Sequence, residues 1–424
     1  MVLSIMTIWL VALGLLWWTG WGLGALLTPR LLRPVQPLLV PFFGYAFTTI
    51  AAYYALWLGL ALDTARWIIL ALAAAINVFA WTRRRNSERI RIRWREVGLA
   101  SGLALVAGLV AVLPLLFHGL LAPIGSSWDV EFYLPLATYL RELPYARLGE
   151  ALPNPLLTTI QVDPTYARAI GFSYFQAMVD SFGGWDAVRT FAPLLGWMRG
   201  LAAPAVFLFA RYGLQTSRPS AMLATMLVAF NEVLLWVQYT GFAMHTSSMP
   251  LVPITLLLTI VALRELHWRS TAAAALLLAG LAANYHPALL GYGALAAGAG
   301  LWYVGRSERR SAVVLHGVVL LASAVAASFL VHLRAQRAFF GVYEQGAAPL
   351  GTPDFISFRT LLGLTPLARA EAPAPPPWGA AIASVWPSVI WLVYAGALLA
   401  GAWWVWRGRG ERGLALTMLA LAGI

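Results

Sequence analysis

Long apolar runs separated by short polar breaks dominate the chain, and a helix needs about 20 mostly apolar residues to cross the hydrocarbon core of a bilayer. About a dozen such runs stand out, near residues 2–28, 37–62, 66–81, 98–118, 190–210, 219–239, 248–263, 271–284, 287–304, 311–332, 383–406 and 413–424. The runs at 66–81 and 271–284 are short, and the last is half a span ending at Ile424, as a truncated chain would leave it. The first run, Val2 to about Leu27, exceeds the roughly 7–15 residues of a signal-peptide core and has no basic leader, so it is expected to be an uncleaved span. Two long polar stretches interrupt the pattern, at 119–189 and 333–382, where loops beyond about 12–15 residues are usually functional or linking. The second contains Ala372-Pro373-Ala374-Pro375-Pro376-Pro377, whose fixed φ makes an extended strap. No internal repeat or separate soluble domain is evident.

The pattern changes character once more, after Trp128. Phe132, Leu136, Tyr139 and Leu140 recur on one face of a helical projection, with Glu131, Thr138, Arg141 and Glu142 toward the other. Such a helix is expected to lie at the membrane interface with its aromatic side among the headgroups.

Composition narrows the class. Hydrophobic residues are 60% of the 424 positions and charged residues 11%, against roughly 25% charged in an average soluble domain. Too few charges remain to cover a water-soluble fold, so the expectation is an all-α polytopic membrane protein of about 11–12 transmembrane helices. The 20 Trp and 15 Tyr suit membrane–water interfaces. The net charge of +12 sits in short loops between apolar runs, not on a basic face, so no nucleic-acid partner is expected. Cysteine is absent, which removes disulfides, thiol nucleophiles and thiolate metal sites. The six His lack zinc-ligand spacing.

Orientation follows from the arginines, which favour cytoplasmic loops. If Arg83-Arg84-Arg85-Asn86-Ser87-Glu88-Arg89, with Arg91, Arg93 and Arg95 after it, is cytoplasmic, alternation places Arg30/Arg33, Arg211/Arg218, Arg264/Arg269, Arg306/Arg309/Arg310 and Arg407/Arg409/Arg412 inside too. That partition puts 19 Arg and 5 acids inside, and 10 Arg and 11 acids outside, with Glu232 within a span. Both long polar stretches then face the extracytoplasmic side of a prokaryotic plasma membrane.

Acids are scarce, yet Asp129 and Glu131 stand two residues apart among aromatics at the start of the amphipathic helix. Asp129 falls at or near its N-cap, which orients a carboxylate. A partly desolvated carboxylate there could serve as a general base; the plain alternative is a cap plus a solvated Glu. Hard oxygen ligands at that spacing also permit Mg²⁺ or Mn²⁺. His245 and the turn Asn284-Tyr285-His286-Pro287 are expected on the same side, where a His can share protons or bond phosphate, or simply meet backbone or headgroups. Glu232 inside a span is a functional candidate by default, or the partner of an Arg such as Arg199. Arg334 and Arg337, with Arg147 and Arg168 as alternatives, offer guanidinium forks to a phosphate ester. For any one of them a headgroup contact is the competing reading.

Trp128-Asp129-x-x-x-Tyr133-x-x-x-Ala137-x-x-Leu140 resembles the first extracytoplasmic loop of the C-type integral membrane glycosyltransferases, where an Asp follows a span and precedes an interfacial helix. The resemblance spans about residues 98–410; residues 335–380 look like the family's late loop, and Asn231 through His245 and Ser248 like its paired middle spans. It implies a core at 98–424, with residues 1–97 as three additional N-terminal spans and an Arg-rich loop, and the acids here are spaced D-x-E. It further implies transfer of a sugar from a polyprenyl-phosphate donor to a lipid, glycan or protein acceptor, with Asp129 as base and Glu131 assisting. Tyr133, Arg147, Arg168, His245, His286, Arg334 and Arg337 would line the donor and acceptor site, surrounded by membrane lipids. Two other classes stay open: a transporter or flippase for lipid-linked saccharides, and a non-catalytic membrane subunit of a larger complex.

Overall fold

The computed structural model describes residues 1–84, 91–119, 121, 128–143, 171–285 and 287–329. They form an all-α, polytopic membrane protein with no strand among the described residues. The helices are α1 Val2–Leu27, α2 Gln36–Trp57, α3 Leu62–Arg84, α4 Trp94–His118, α5 Trp128–Glu142, α6 Gly171–Gly183 and α7 Ala187–Leu208. They continue as α8 Arg218–Ala229, α9 Glu232–Tyr239, α10 Ala243–Glu265, α11 Trp268–Asn284, α12 Ala288–Arg306 and α13 Arg310–Ala327. A 3₁₀ segment, Arg30–Val35, leads into α2, and α7 ends in a π turn, Phe209–Gly213. Among the described residues, seven helical stretches are long and apolar enough to cross a membrane: those of α1, α2, α3, α4, α7, α10 and α13.

Small residues set the closest approaches, because lipid tails give apolar helices no hydrophobic reason to associate and packing must come from backbone proximity. At the α1–α2 crossing, a Cβ on Gly20 would run into Val40 O and lie 2.6 Å from Gly44 N. At the α4–α7 crossing, one on Gly200 would lie 2.8 Å from Ala104 O. Trp9 of α1 fixes the third edge of that group by donating Nε1–H to Pro193 O at 2.8 Å. Helices α7 and α10 are buried on most sides, whereas α3, α4 and α13 turn side chains such as Trp67, Leu105 and Leu315 outward, as lipid-facing helices do.

The loops that alternation puts on one side meet at one end. Arg93 N donates to Pro34 O, Leu31 N to Glu265 Oε1, Arg218 Nη2 to Arg95 O, and Arg264 to the carbonyls of Tyr212 and Gly213. Tyr212 OH also donates to Glu96, which pairs with Arg93. The other end gathers the α2–α3 turn, α5, α6 and the starts of α7 and α10.

The structure differs from the sequence pattern in several places. The short runs at 66–81 and 271–284 extend to helices of 23 and 17 residues. Residues 219–239 are not one span: α8 stops at Ala229 and α9 starts at Glu232. Arg199, counted with the outer arginines, is fully buried inside α7. The apolar face of α5 packs into protein instead of headgroups, for Leu136, Ala137, Tyr139 and Leu140 are all fully buried. Its cover is α6, a helix inside the stretch read as a polar loop, whose Phe172, Tyr174, Phe175, Met178 and Val179 leave no exposed surface.

Candidate functional site

At the end opposite the arginine-rich loops, the first turn of α5 carries Asp129 and Glu131 on its backbone. Val130, between them, packs on Gly241 in the turn from α9 to α10. That glycine has φ +85°, and a Cβ there would collide with Val130 Cγ2. Only glycine serves both demands, since a left-handed backbone and a missing side chain are needed at once. Tyr133, one turn along α5, is 3% exposed and stacks on Phe191 of α7, with centroids 6.3 Å apart and planes 22° apart. The acid-bearing turn is thereby held between α7 and the α9–α10 turn.

The same turn delivers a histidine. Phe242 precedes α10 and its ring sits 5.4 Å from that of His245, an exposed residue in the first turn of α10. His245 Nε2 shares a 2.8 Å hydrogen bond with Tyr285 OH, and the rings lie 4.6 Å apart. Below this pair, buried Asn284 closes α11 and accepts from Tyr45 OH and, at 3.1 Å, from Ser247 Oγ. Three helices therefore fix the ring of His245 and its neighbour, while the imidazole itself stays open to solvent.

Beside Gly241 a narrow crevice of about 20 Å³, room for roughly one water, lies between α4, α7 and α9, lined by Ala111, Pro114, Leu115, Phe191, Ala192, Leu195, Gln238, Tyr239 and Gly241. Its wall is apolar except for Gln238 and Tyr239, which donate to Ala111 O at 2.9 Å and Val110 O at 3.2 Å. The lining is chemically suited to a hydrocarbon chain next to a polar end, but a chain enters only if α4 and α9 move apart.

Behind the site, α3, α5 and α6 are joined by charge. Arg141 Nε lies 3.6 Å from Asp63 Oδ1, and its Nη1 donates to Trp185 O at 2.8 Å. Ser181 Oγ donates to Asp63 Oδ1, and Arg66 donates to Ser181 O. The adjacent Asp180 is fully buried, and neither of its carboxylate oxygens receives a hydrogen bond of normal geometry. Burial pushes its carboxyl up to about 7; the Thr190 hydroxyl and the Arg141 charge pull the other way, and Asp186 adds to the rise.

Beneath the site lies the broken span. Helices α8 and α9, of 12 and 8 residues, rise about 18 and 12 Å at 1.5 Å per residue, so only together do they cross a core of about 30 Å. The break is closed from both sides. Asn231 accepts Leu234 N–H at 3.1 Å as the N-cap of α9, and buried Arg199 donates to Val228 O and, at 2.9 Å, to Ala229 O, the last carbonyls of α8. Arg199 lies about 18 Å along α7 from Ala187, near mid-depth.

Of the residues singled out in the sequence, the structure brings the backbone positions of Asp129 and Glu131, Tyr133 and His245 into one region. Tyr133 enters it as a packing residue and His245 as an exposed one. Glu232 is the first residue of α9, at the break. Arg147, Arg168, His286, Arg334 and Arg337 lie outside the described residues, although His286 directly follows Tyr285 in the chain. Asp180 and Arg199 were not singled out as site residues. Each is one charge inside an apolar stretch, Met178-Val179-Asp180 and Trp197-Met198-Arg199, and that isolation is the signal that could have found them. Among the described residues no group of three or more His, Asp or Glu could hold a metal ion. No family model, curated protein or solved structure matches this chain.

Proposed function

We propose that this chain is a membrane glycosyltransferase that moves a sugar from a polyprenyl-phosphate donor to an acceptor hydroxyl at the extracytoplasmic face. One observation carries the reading: an acid-bearing helix turn packs against the turn that presents His245, at the end opposite the arginine-rich loops. The apolar crevice beside Gly241 widens to take the polyprenyl chain, with its phosphate toward His245. Asp129 accepts the proton of the acceptor hydroxyl as its oxygen forms a bond to the anomeric carbon. The bond from that carbon to the phosphate oxygen breaks, and polyprenyl phosphate leaves with the electron pair. Displacement from the opposite face inverts the anomeric centre. Arg334 and Arg337 are assigned to the phosphate, and Glu131 assists Asp129; that pair's oxygens also suit Mg²⁺ or Mn²⁺.

The test is a structure of the protein in nanodiscs with a polyprenyl phosphonate analogue of the donor. The reading requires the sugar beside the first turn of α5 and the chain in the crevice lined by Pro114 and Gln238. A donor bound at the arginine-rich end, or none bound at saturating analogue, removes it.

The broken span favours a second reading, a transporter of lipid-linked saccharides, because interrupted helices near the midplane often mark transport sites. That reading expects lipid-linked sugar to cross proteoliposomes without any glycosidic bond being made.

A further inference from the structure

Asp180 stands apart from the sugar-transfer reading, which gives it no role. It is fully buried on α6, and neither carboxylate oxygen has a hydrogen bond of normal geometry. Such a carboxylate is costly when ionised, because the Thr190 hydroxyl and the Arg141 charge only partly replace the water it has lost. The charged and titratable groups on the elements packed around α6 can be named. Helices α1 and α2 carry no charged residue, only tyrosines on α2; α3 brings Asp63 and Arg66. Helix α5 brings Arg141 and Glu142, with Asp129 and Glu131 at its far end. The turn into α7 brings Asp186, itself paired with Arg189 at 3.2 Å, and α10 brings His245 at its start. The charged residues on α11 and further down α7 and α10, namely Arg269, Arg199, Arg264 and Glu265, lie deeper in the bundle or at the arginine-rich end. Arg141 is the cation shared by the junction: Asp63 lies 3.6 Å from its Nε, and its charge also acts on Asp180.

We propose that Asp180 is a proton-binding site that locks the α3–α5–α6 junction, holding it closed when protonated and loosening it when ionised. Protonated Asp180 leaves Arg141 to Asp63 and the carbonyl of Trp185, and the interior of the junction is uncharged. On losing its proton, Asp180 becomes a buried anion that competes with Asp63 for the Arg141 guanidinium, although Asp63 keeps a second, more distant partner in Arg66 at 4.0 Å. The sign follows from linkage. The folded junction binds more protons than the opened one between the ordinary value of 3.8 and about 7, so its stability is full at the acid end of that window and falls as pH rises through it. Opening is then about tenfold more frequent at pH 8 than at pH 6.

Hydrogen exchange of the full chain in nanodiscs reads this directly, using peptides from α5 and α6 at pH 6 and pH 8, corrected for the intrinsic exchange rate. The wild type should show the tenfold ratio in these peptides and a ratio near one in α11. Asp180→Asn, which cannot ionise, should bring the α5 and α6 ratio to about one. A wild-type ratio of one, or an unchanged tenfold ratio in D180N, overturns the proposal. Should the variant fail to fold, infrared titration of the wild type carrying isotope-labelled aspartate decides. A protonated carboxyl band that disappears with a midpoint near pH 7 supports the lock, and the absence of any such band above pH 5 overturns it.

Discussion

Replacing Gly241 by Ala is the substitution that probes the site most sharply with the fewest atoms. The backbone there has φ +85°, and the new Cβ would fall within the radius of Val130 Cγ2. Left-handed geometry costs an L-residue about 1–2 kcal/mol, and an added methyl in a filled space about 1–3 kcal/mol more. The sum, about 2–5 kcal/mol, is smaller than the total stability of most folded proteins, about 5–15 kcal/mol, so the chain should still fold. Relief of the overlap must come from Val130, which lies between Asp129 and Glu131, and so the acid-bearing turn moves. A displacement of about 1 Å in a catalytic group costs about 100-fold in rate. The assay pairs thermal unfolding in detergent with transfer of labelled sugar from a polyprenyl-phosphate donor. The expected result is modest loss of stability with about 100-fold loss of kcat. Unchanged kcat in a destabilised variant would refute the claim that this contact positions the chemistry.

Two further substitutions test its surroundings. Arg199→Met keeps the volume but removes the donor to Val228 O, which keeps Asn231 N–H, and to Ala229 O, which is left bare; at about 1–3 kcal/mol for a carbonyl left without its partner, stability in detergent should fall by about 1–3 kcal/mol. A rise in unfolding temperature would show that the cost of burying the guanidinium outweighs its grip on the break. Tyr285→Phe deletes the 2.8 Å bond to His245, a loss of about 0.5–1.5 kcal/mol. It should lower kcat/KM by up to about tenfold while lowering the unfolding temperature by no more than a few degrees, and no change in kcat/KM would remove His245 from the site.

Much of the architecture is legible from residue pattern because a bilayer leaves so few options: apolar runs become helices, and arginine spacing orders their ends. The arginine-rich loops do meet, through Pro34, Arg93, Glu265 and Arg218. The helix from Trp128 onward is readable too, from aromatic spacing. What escapes the pattern is where local chemistry overrides hydropathy. Asn231 ends one helix and caps the next within a run whose average hydropathy looks continuous. Helix α6 hides because polar neighbours on both sides dilute its apolar face in any window. The aromatic side of α5 was expected to meet headgroups because a helix cannot reveal from its own sequence which partner covers it; here the partner is α6 together with Phe191. Arg199 and Asp180 read as misplaced charges until the carbonyls of α8 and the ion pair of Arg141 with Asp63 come into view.

The central claim is that the carboxylate at position 129 takes the acceptor's proton. Purified wild type and Asp129→Asn, reconstituted side by side and shown to unfold at the same temperature, should be given a labelled polyprenyl-phosphate sugar and assayed for polyprenyl phosphate release and glycoside formation. The account predicts both products from the wild type and neither above background from D129N. Full activity in D129N would contradict it.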